Sequence, residues 1–163
     1  MKAIVVYESL WGNTAAIAQA IAAGIGPDAR ALSTSEAAGT AIAEADLIIA
    51  GAPLLGFSLP TEAMRENIRT NPGKAPRPAN LASPSMRAWL AALPKGHGQA
   101  AAFETRLWWS PGSAVKTILQ GLVKAGYKPL SKSKRFIVKG AYGPLREGEI
   151  ERAQLWGASL RIT

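Results

Sequence analysis

Three hydrogen-bonding side chains, Ser9, Asn13 and Thr14, lie close together near the start of the sequence, around a single glycine, Gly12. They follow a short apolar run at residues 3–7 that predicts a β-strand, and they open an apolar-periodic stretch that predicts a helix. Glycine lets the backbone fold tightly around an anion, and a helix directs its unpaired N–H groups and its positive dipole end at the same point. The sequence therefore predicts a phosphate site in this loop.

The loop contains no lysine or arginine, so neutral donors would have to bind the anion. This favours a terminal phosphate monoester over a triphosphate with its metal ion. The residues match neither the Walker loop, which requires Gly-Lys-Ser/Thr, nor the GxGxxG dinucleotide turn. A second interpretation remains open, in which Gly12, Asn13 and Thr14 form only a turn and a helix cap.

Composition limits the classes of chemistry that the chain can perform. The 163 residues include no cysteine and one histidine, and the net charge is +8. Thiol chemistry and thiolate metal sites are therefore excluded, and a cysteine-free chain fits a cytoplasmic protein. His97 lies in a Lys-Gly-His-Gly turn, so a metal site or a histidine-based triad has little support. No apolar run reaches the length of a membrane span, and the five-residue strand near the N-terminus is too short for a signal sequence.

Strand and helix patterns alternate along the chain, which predicts a parallel sheet covered by helices on both faces. The predicted strands are residues 3–7, 29–32, 46–51, 99–104 and 134–139. The predicted helices are residues 13–25, 35–45, 61–68, 85–93, a stretch starting at 110–113, and 144–160. We expect one domain over residues 1–163, with a proline-rich irregular insertion at about 60–84.

The loop around Gly12 resembles the phosphate loop of flavodoxins, usually written Thr/Ser-x-Thr-Gly-Asn-Thr. Ser9, Gly12, Asn13 and Thr14 match it, whereas Trp11 stands where a small or hydroxyl residue is more usual. The segments 103–106 and 143–156 also resemble short bacterial flavodoxin-domain proteins. The resemblance implies an α/β fold with three layers, namely a doubly wound parallel sheet of five strands in the order 2-1-3-4-5, and it implies FMN as the cofactor.

In this fold, ligands bind beyond the carboxyl ends of the strands, so the flavin ring would contact the loops after the third and fourth strands. The cofactor-binding residues that the resemblance implies are Ser9, Leu10, Trp11, Gly12, Asn13, Thr14, Pro53, Leu54, Leu55, Gly56, Thr105, Arg106, Trp108 and Trp109. Leu54 and Leu55 replace a threonine and a histidine expected in the resembling proteins, which leaves only backbone groups for the ring atoms there.

Two features of the loop after the fourth strand have alternative roles. Trp108 and Trp109 are adjacent, cannot easily both be buried, and can stack on the ring, fill core space or meet a partner. Arg106 is expected either to reach the pyrimidine edge of the ring or to pair with Glu104.

The resemblance implies an FMN-binding redox protein, either an electron carrier or a small flavin-dependent reductase. The carrier is favoured because no convincing proton-transfer side chain is predicted near the ring. The positive charge, unlike that of acidic shuttle flavodoxins, favours an acidic redox partner protein. The alternative is a flavin-free interaction module that docks a partner through its apolar loops and basic surface.

Much of the positive charge is concentrated near the fifth predicted strand, in Lys128, Lys132, Lys134, Arg135 and Lys139. We interpret these residues as a solvated edge, because lysines discourage edge-to-edge aggregation of sheets. Binding to nucleic acid is disfavoured, since only one aromatic residue, Phe136, is interleaved with these cations.

Overall fold

The structure is a computed structural model that describes residues 1–40, 42–130 and 133–161. Within these residues, six strands form one parallel sheet. They are β1 (Ala3–Tyr7), β2 (Ala29–Ser33), β3 (Leu47–Pro53), β4 (Gln99–Arg106), β5 (Lys128–Pro129) and β6 (Lys134–Ile137). Their order is β2-β1-β3-β4-β5, and β6 also pairs with β4. The predicted doubly wound sheet of order 2-1-3-4-5 is therefore confirmed.

The fifth strand is interrupted. Since β3 pairs with β4 from Gln99 to Thr105, both β5 and β6 must lie on the opposite edge of β4. There β5 pairs with the start of β4 and β6 with its end. The predicted strand 134–139 is present in part, and β5 was missed because Pro129 has no N–H for the ladder and argues against a strand. Of the predicted basic cluster, Lys132 lies outside the described residues.

The described helices are α1 (Asn13–Ile25), α2 (Thr34–Ala37), α3 (Glu62–Thr70), α4 (Met86–Ala91), α5 (Val115–Lys124) and α6 (Glu149–Ser159), with a 3-10 turn at Ile42–Glu44. In the part of the chain that the structure describes, none of them is long and apolar enough to cross a membrane. The predicted bounds of α1 are confirmed. After α3 the proline-rich segment has no regular structure up to Ser85, which caps α4.

Two predicted helices were wrong in their extent. The helix expected over 35–45 ends at Ala37, because Gly39 follows and few bulky apolar residues are available to hold a longer helix against the sheet. The helix expected from Pro144 begins only at Glu149. Its N-cap, Gly148, has a left-handed backbone, and Leu145 instead forms an antiparallel bridge with Val138.

Alternate strand residues pack into two separate cores, as the two-residue period of a strand requires. Val5 and Ile49 point toward α1 and α6, whereas Ile48 and Ala102 point toward α4 and α5. Both faces of the sheet are therefore covered by helices. The edge at the carboxyl ends of the strands is left to loops.

The first turn of α6 contains a buried carboxylate that should make stability depend on pH. Glu149 accepts hydrogen bonds from the Ile137 N–H at 2.6 Å, from Arg146 at 3.2 Å and from Arg152 at 3.0 Å. Burial alone would raise the pKa of Glu149, but the bonds from Arg152, Ile137 and Arg146 together lower that pKa below its ordinary value. Folding therefore favours the ionised carboxylate of Glu149 over the protonated acid.

We expect the free energy of unfolding of Glu149→Gln to fall less steeply with decreasing pH than that of the wild type. The stability from Glu149 is complete above the pKa of the unfolded carboxyl, about 4.3, and is lost as pH falls through the lower folded value. Urea unfolding from pH 6 to pH 2.5 should therefore show a shallower slope below about pH 5 in the variant. Glu151→Gln is the control, because Glu151 is exposed on the same helix and has no ion pair among the described residues. Equal slopes in the wild type and Glu149→Gln would contradict the prediction.

Candidate functional site

The carboxyl ends of β1, β3 and β4 meet at a cavity of about 300 Å³. Every residue predicted to bind the cofactor lines this cavity except Gly12 and Trp108; these lining residues are Ser9, Leu10, Trp11, Asn13, Thr14, Pro53, Leu54, Leu55, Gly56, Thr105, Arg106 and Trp109. The cavity is also lined by Phe57, Leu107 and Ser110, which lie in the two loops predicted to contact the ring, and by Val138 and Ala141, which the sequence did not suggest. Val138 and Ala141 follow β6, and the rule that ligands bind beyond the carboxyl ends of parallel strands could have indicated them.

The loop between β1 and α1 places several neutral donors at one wall of the cavity. The Gly12 N–H donates to Ser9 Oγ at 3.1 Å, and Gly12 has a φ of 100°, which favours glycine. Ser9 accepts this bond and keeps its own hydroxyl hydrogen for another acceptor. The Asn13 side chain forms no hydrogen bond within the described residues, so its amide N–H groups are also available to a ligand in the cavity. Neutral donors are therefore present, as the sequence predicted.

Thr14 joins the loop to the end of β4. Its Oγ1 lies 2.8 Å from Thr105 Oγ1, and both side chains are buried. One hydroxyl donates to the other, so the pair retains one hydrogen for a ligand. This bond therefore fixes the start of α1 relative to the end of β4, the two regions that the sequence predicts to contact the phosphate and the ring.

Trp11 belongs to this loop, at the position where the resemblance leads one to expect a small or hydroxyl residue. It packs edge-on against Tyr142, with ring centroids 4.8 Å apart. Its Nε1–H is enclosed and has no acceptor within the described residues. An enclosed donor without an acceptor costs about 1–3 kcal/mol, so an acceptor from a ligand would be stabilising here.

The loop after β3 gives the cavity an apolar wall. Leu55 and Ser58 exchange backbone hydrogen bonds of 2.9 and 3.1 Å across Gly56 and Phe57. Both residues between them have positive φ, and Phe57 is 63% exposed. Leu54 donates its N–H to the Thr105 carbonyl at 2.9 Å. As predicted from the sequence, the side chains of this wall offer no hydrogen bonds.

The loop after β4 is held by a buried ion pair. Arg106 donates to Glu104 at 2.8 Å and to the Gly112 carbonyl at 3.0 Å. Glu104 has no exposed surface, and it also accepts the N–H groups of Ala114 and Val115 at 2.9 and 3.0 Å. Of the two roles considered for Arg106, pairing with Glu104 is therefore the one observed, although Arg106 also borders the cavity.

The two tryptophans of this loop are both exposed, Trp108 by 76% and Trp109 by 62%. The prediction that they are not buried together is confirmed. Trp109 borders the cavity and Trp108 does not.

His97 is exposed in its loop and does not line the cavity. Within the described residues, no group of three His, Cys, Asp or Glu side chains could hold a metal ion.

A second buried ion pair attaches the proline-rich segment to β1. Glu8 follows that strand, pairs with Arg65 of α3 and accepts the Met86 N–H at 3.3 Å. Burial raises the pKa of Glu8 above its ordinary value, and the Arg65 guanidinium acts in the opposite direction. Arg65 also donates to the carbonyls of Leu81 and Ala82 at 3.0 and 3.1 Å. This contact joins residues 57 positions apart, and no pattern in the sequence predicts it.

Solved structures of the same architecture are numerous. A flavodoxin from the domain Archaea is 22% identical over 99% of this chain and 96% of its own, with a TM-score of 0.65. Flavodoxin 2 from Bacillus cereus is 18% identical over 96% of this chain and 95% of its own, with a TM-score of 0.67. The chain has the flavodoxin fold. The flavodoxin of Streptococcus pneumonia TIGR4 is 17% identical, covers 99% of this flavodoxin-like chain and aligns along 100% of its own length, with a TM-score of 0.64. No family model and no curated protein matches the chain.

Proposed function

We propose that this flavodoxin-like chain binds FMN and serves as an electron carrier in the cytoplasm, with an acidic protein as its redox partner. When bound, FMN supplies the one- and two-electron chemistry. The observation that carries the proposal is the loop from Ser9 to Thr14, whose free donors open onto a cavity with an apolar wall. A phosphate with an attached aromatic ring fits this combination of groups.

The residues divide into three tasks. Ser9, Asn13 and Thr14 would hold the phosphate, together with the N–H groups at the start of α1. Leu54 and Leu55 would exclude water from one side of the ring, and Trp109 would offer it an aromatic surface at the mouth of the cavity. The unpartnered indole N–H of Trp11 supports a ligand with acceptor atoms beside the loop.

A carrier is favoured over a reductase by the charges around the cavity. Among the described residues that line it, Arg106 alone is charged, and Glu104 pairs with it. No lining carboxylate or histidine is present in this set to transfer a proton to a substrate. The net charge of +8 supports an acidic partner, because opposite charges speed the encounter of two proteins.

A flavin-free interaction module is the second candidate. Phe57, Trp108 and Trp109 are exposed on neighbouring loops, and the Ser113 N–H donates to the Phe57 carbonyl at 3.2 Å, which ties these loops together. Exposed aromatic groups of this kind are common at protein interfaces. The two candidates differ in colour, since only the FMN-binding protein would be yellow.

An FMN titration of the apo-protein, followed by flavin fluorescence, tests the proposal. We expect Asn13→Ala and Thr14→Ala each to weaken FMN binding by about tenfold to a hundredfold, because hydrogen bonds to a charged group contribute about 1.5–3 kcal/mol. Thr14→Ser is the matched control and should bind nearly as well as the wild type, since it keeps the hydroxyl. If FMN, riboflavin and FAD all fail to bind the wild type, the redox proposal is overturned and the interaction module remains.

A further inference from the structure

The proline-rich segment holds the phosphate loop from outside. The Asn80 N–H donates to the Leu10 carbonyl at 2.8 Å, and the Arg77 guanidinium donates to the Trp11 carbonyl. These are the carbonyls of two consecutive peptide groups. The segment therefore fixes the orientation of the loop backbone at its centre.

This orientation matters because a trans peptide group holds its C=O and its N–H on opposite sides. With the Leu10 and Trp11 carbonyls bound by the segment, the N–H groups of Trp11 and Gly12 in the same peptide groups are directed to the inner side of the loop. The Gly12 N–H indeed meets Ser9 Oγ there, at 3.1 Å. Successive N–H groups that point to one side form a concavity that binds anions.

Arg77 also brings a positive charge that the loop itself lacks. A Cβ atom built on Gly12 would lie 2.7 Å from Arg77 Nη2, so the guanidinium lies directly against the loop. Arg77 forms no ion pair within the described residues, and its charge is therefore not cancelled by a contacting carboxylate. Arg77 would therefore add a positive charge to the neutral donors that the sequence predicts for this loop.

The position of Arg77 and Asn80 is secured independently of the loop. Arg65 donates to the carbonyls of Leu81 and Ala82, directly after Asn80, and pairs with buried Glu8. The Asn80 side chain accepts the Ala82 N–H at 3.1 Å, which closes a local turn. The residues that follow Asn80 are thus anchored to α3 and, through Arg65, to Glu8 at the end of β1.

We propose that Arg77 and Asn80 are positioning residues that pre-organise the phosphate loop, and that the Arg77 charge makes the site select a phosphorylated flavin over the phosphate-free form. The inference rests on the proposed FMN function. Pre-organised N–H groups lower the cost of binding, and a nearby cation strengthens the attraction of a dianionic phosphate. The riboflavin part of the ligand gains nothing from either effect.

The test compares dissociation constants for FMN and riboflavin at low and high salt. We expect Arg77→Gln to weaken FMN binding about tenfold, to leave riboflavin binding within about twofold, and to reduce the salt dependence of FMN binding. Arg77→Lys should restore the salt dependence, because it keeps the charge. Lys74→Gln is the matched control, an exposed cation of the same segment, and should behave like the wild type. Inorganic phosphate should raise the Tm of the flavin-free wild type more than that of Arg77→Gln.

The possible results separate this inference from the function on which it rests. If the wild type binds FMN but Arg77→Gln loses FMN and riboflavin equally, or loses neither, the inference is overturned and the proposed function stands. If the wild type binds no flavin, both are overturned. A loss confined to FMN and accompanied by a weaker salt dependence supports the inference, because a general loosening of the fold would affect both ligands.

Discussion

Glu104→Ala is expected to lower the free energy of unfolding by about 3–5 kcal/mol, the usual cost of removing one partner from a buried ion pair. Glu104 has no exposed surface, and Arg106 is only 7% exposed, so the arginine would keep its charge in the interior without a carboxylate. Ala114 and Val115 would also lose the acceptor for their N–H groups at the start of α5. Urea unfolding followed by circular dichroism measures the loss.

Two further variants separate charge from hydrogen bonding. Glu104→Gln keeps an acceptor oxygen for the N–H groups but removes the charge that balances Arg106, so its loss should lie between the wild type and the alanine variant. Glu147→Ala is the control, an exposed carboxylate that should change stability by less than about 0.5 kcal/mol. A loss below about 1 kcal/mol for Glu104→Ala would show that water reaches Arg106 and that the pair is not truly buried.

Helix α1 and strand β1 were predictable because their determinants are local. Gly12 and Gly26 cap α1 at its two ends, and apolar residues recur with the helical period between them. The bounds Asn13–Ile25 therefore follow from the sequence alone. Elements that depend on distant contacts were not predictable. The start of α6 is set by the bridge between Leu145 and Val138, and β5 exists only because β4 offers Lys128 and Pro129 an edge.

The candidate site shows the same division. The loops after β1, β3 and β4 converge because parallel strands end at one edge of the sheet, and this convergence needs no knowledge of side-chain contacts. Arg77 reaches the loop between β1 and α1 from 66 residues away through an irregular segment, where no periodicity constrains the path of the chain. Likewise, the pairing of Arg106 with Glu104 depends on side-chain packing, which a linear pattern does not contain.

Gly157→Ala is expected to lower the free energy of unfolding by about 2–3 kcal/mol, although alanine is the better helix former by about 1 kcal/mol. Helices α1 and α6 approach each other through two glycines. A Cβ atom on Gly157 would overlap the Ile21 carbonyl oxygen, and one on Gly24 would overlap the Gln154 carbonyl oxygen. These obstacles are backbone atoms, so a change of rotamer cannot remove them and the helices must move apart. Chemical denaturation of the wild type and the variant measures the cost.

Gly121→Ala is the matched control for this prediction. Gly121 lies inside α5, and its Cβ would meet the flexible side chain of Leu90, 3.0 Å away at the nearest atom. These contacts, which include Leu90 Cβ at 3.1 Å, need a shift of only a few tenths of an ångström, so the gain in helix propensity should offset them and leave stability nearly unchanged. If Gly157→Ala were as stable as Gly121→Ala, the backbones of α1 and α6 would have to be further apart than they are here. The core on that face of the sheet, and the angle at which α1 presents its first turn to the proposed phosphate site, would then require a different arrangement.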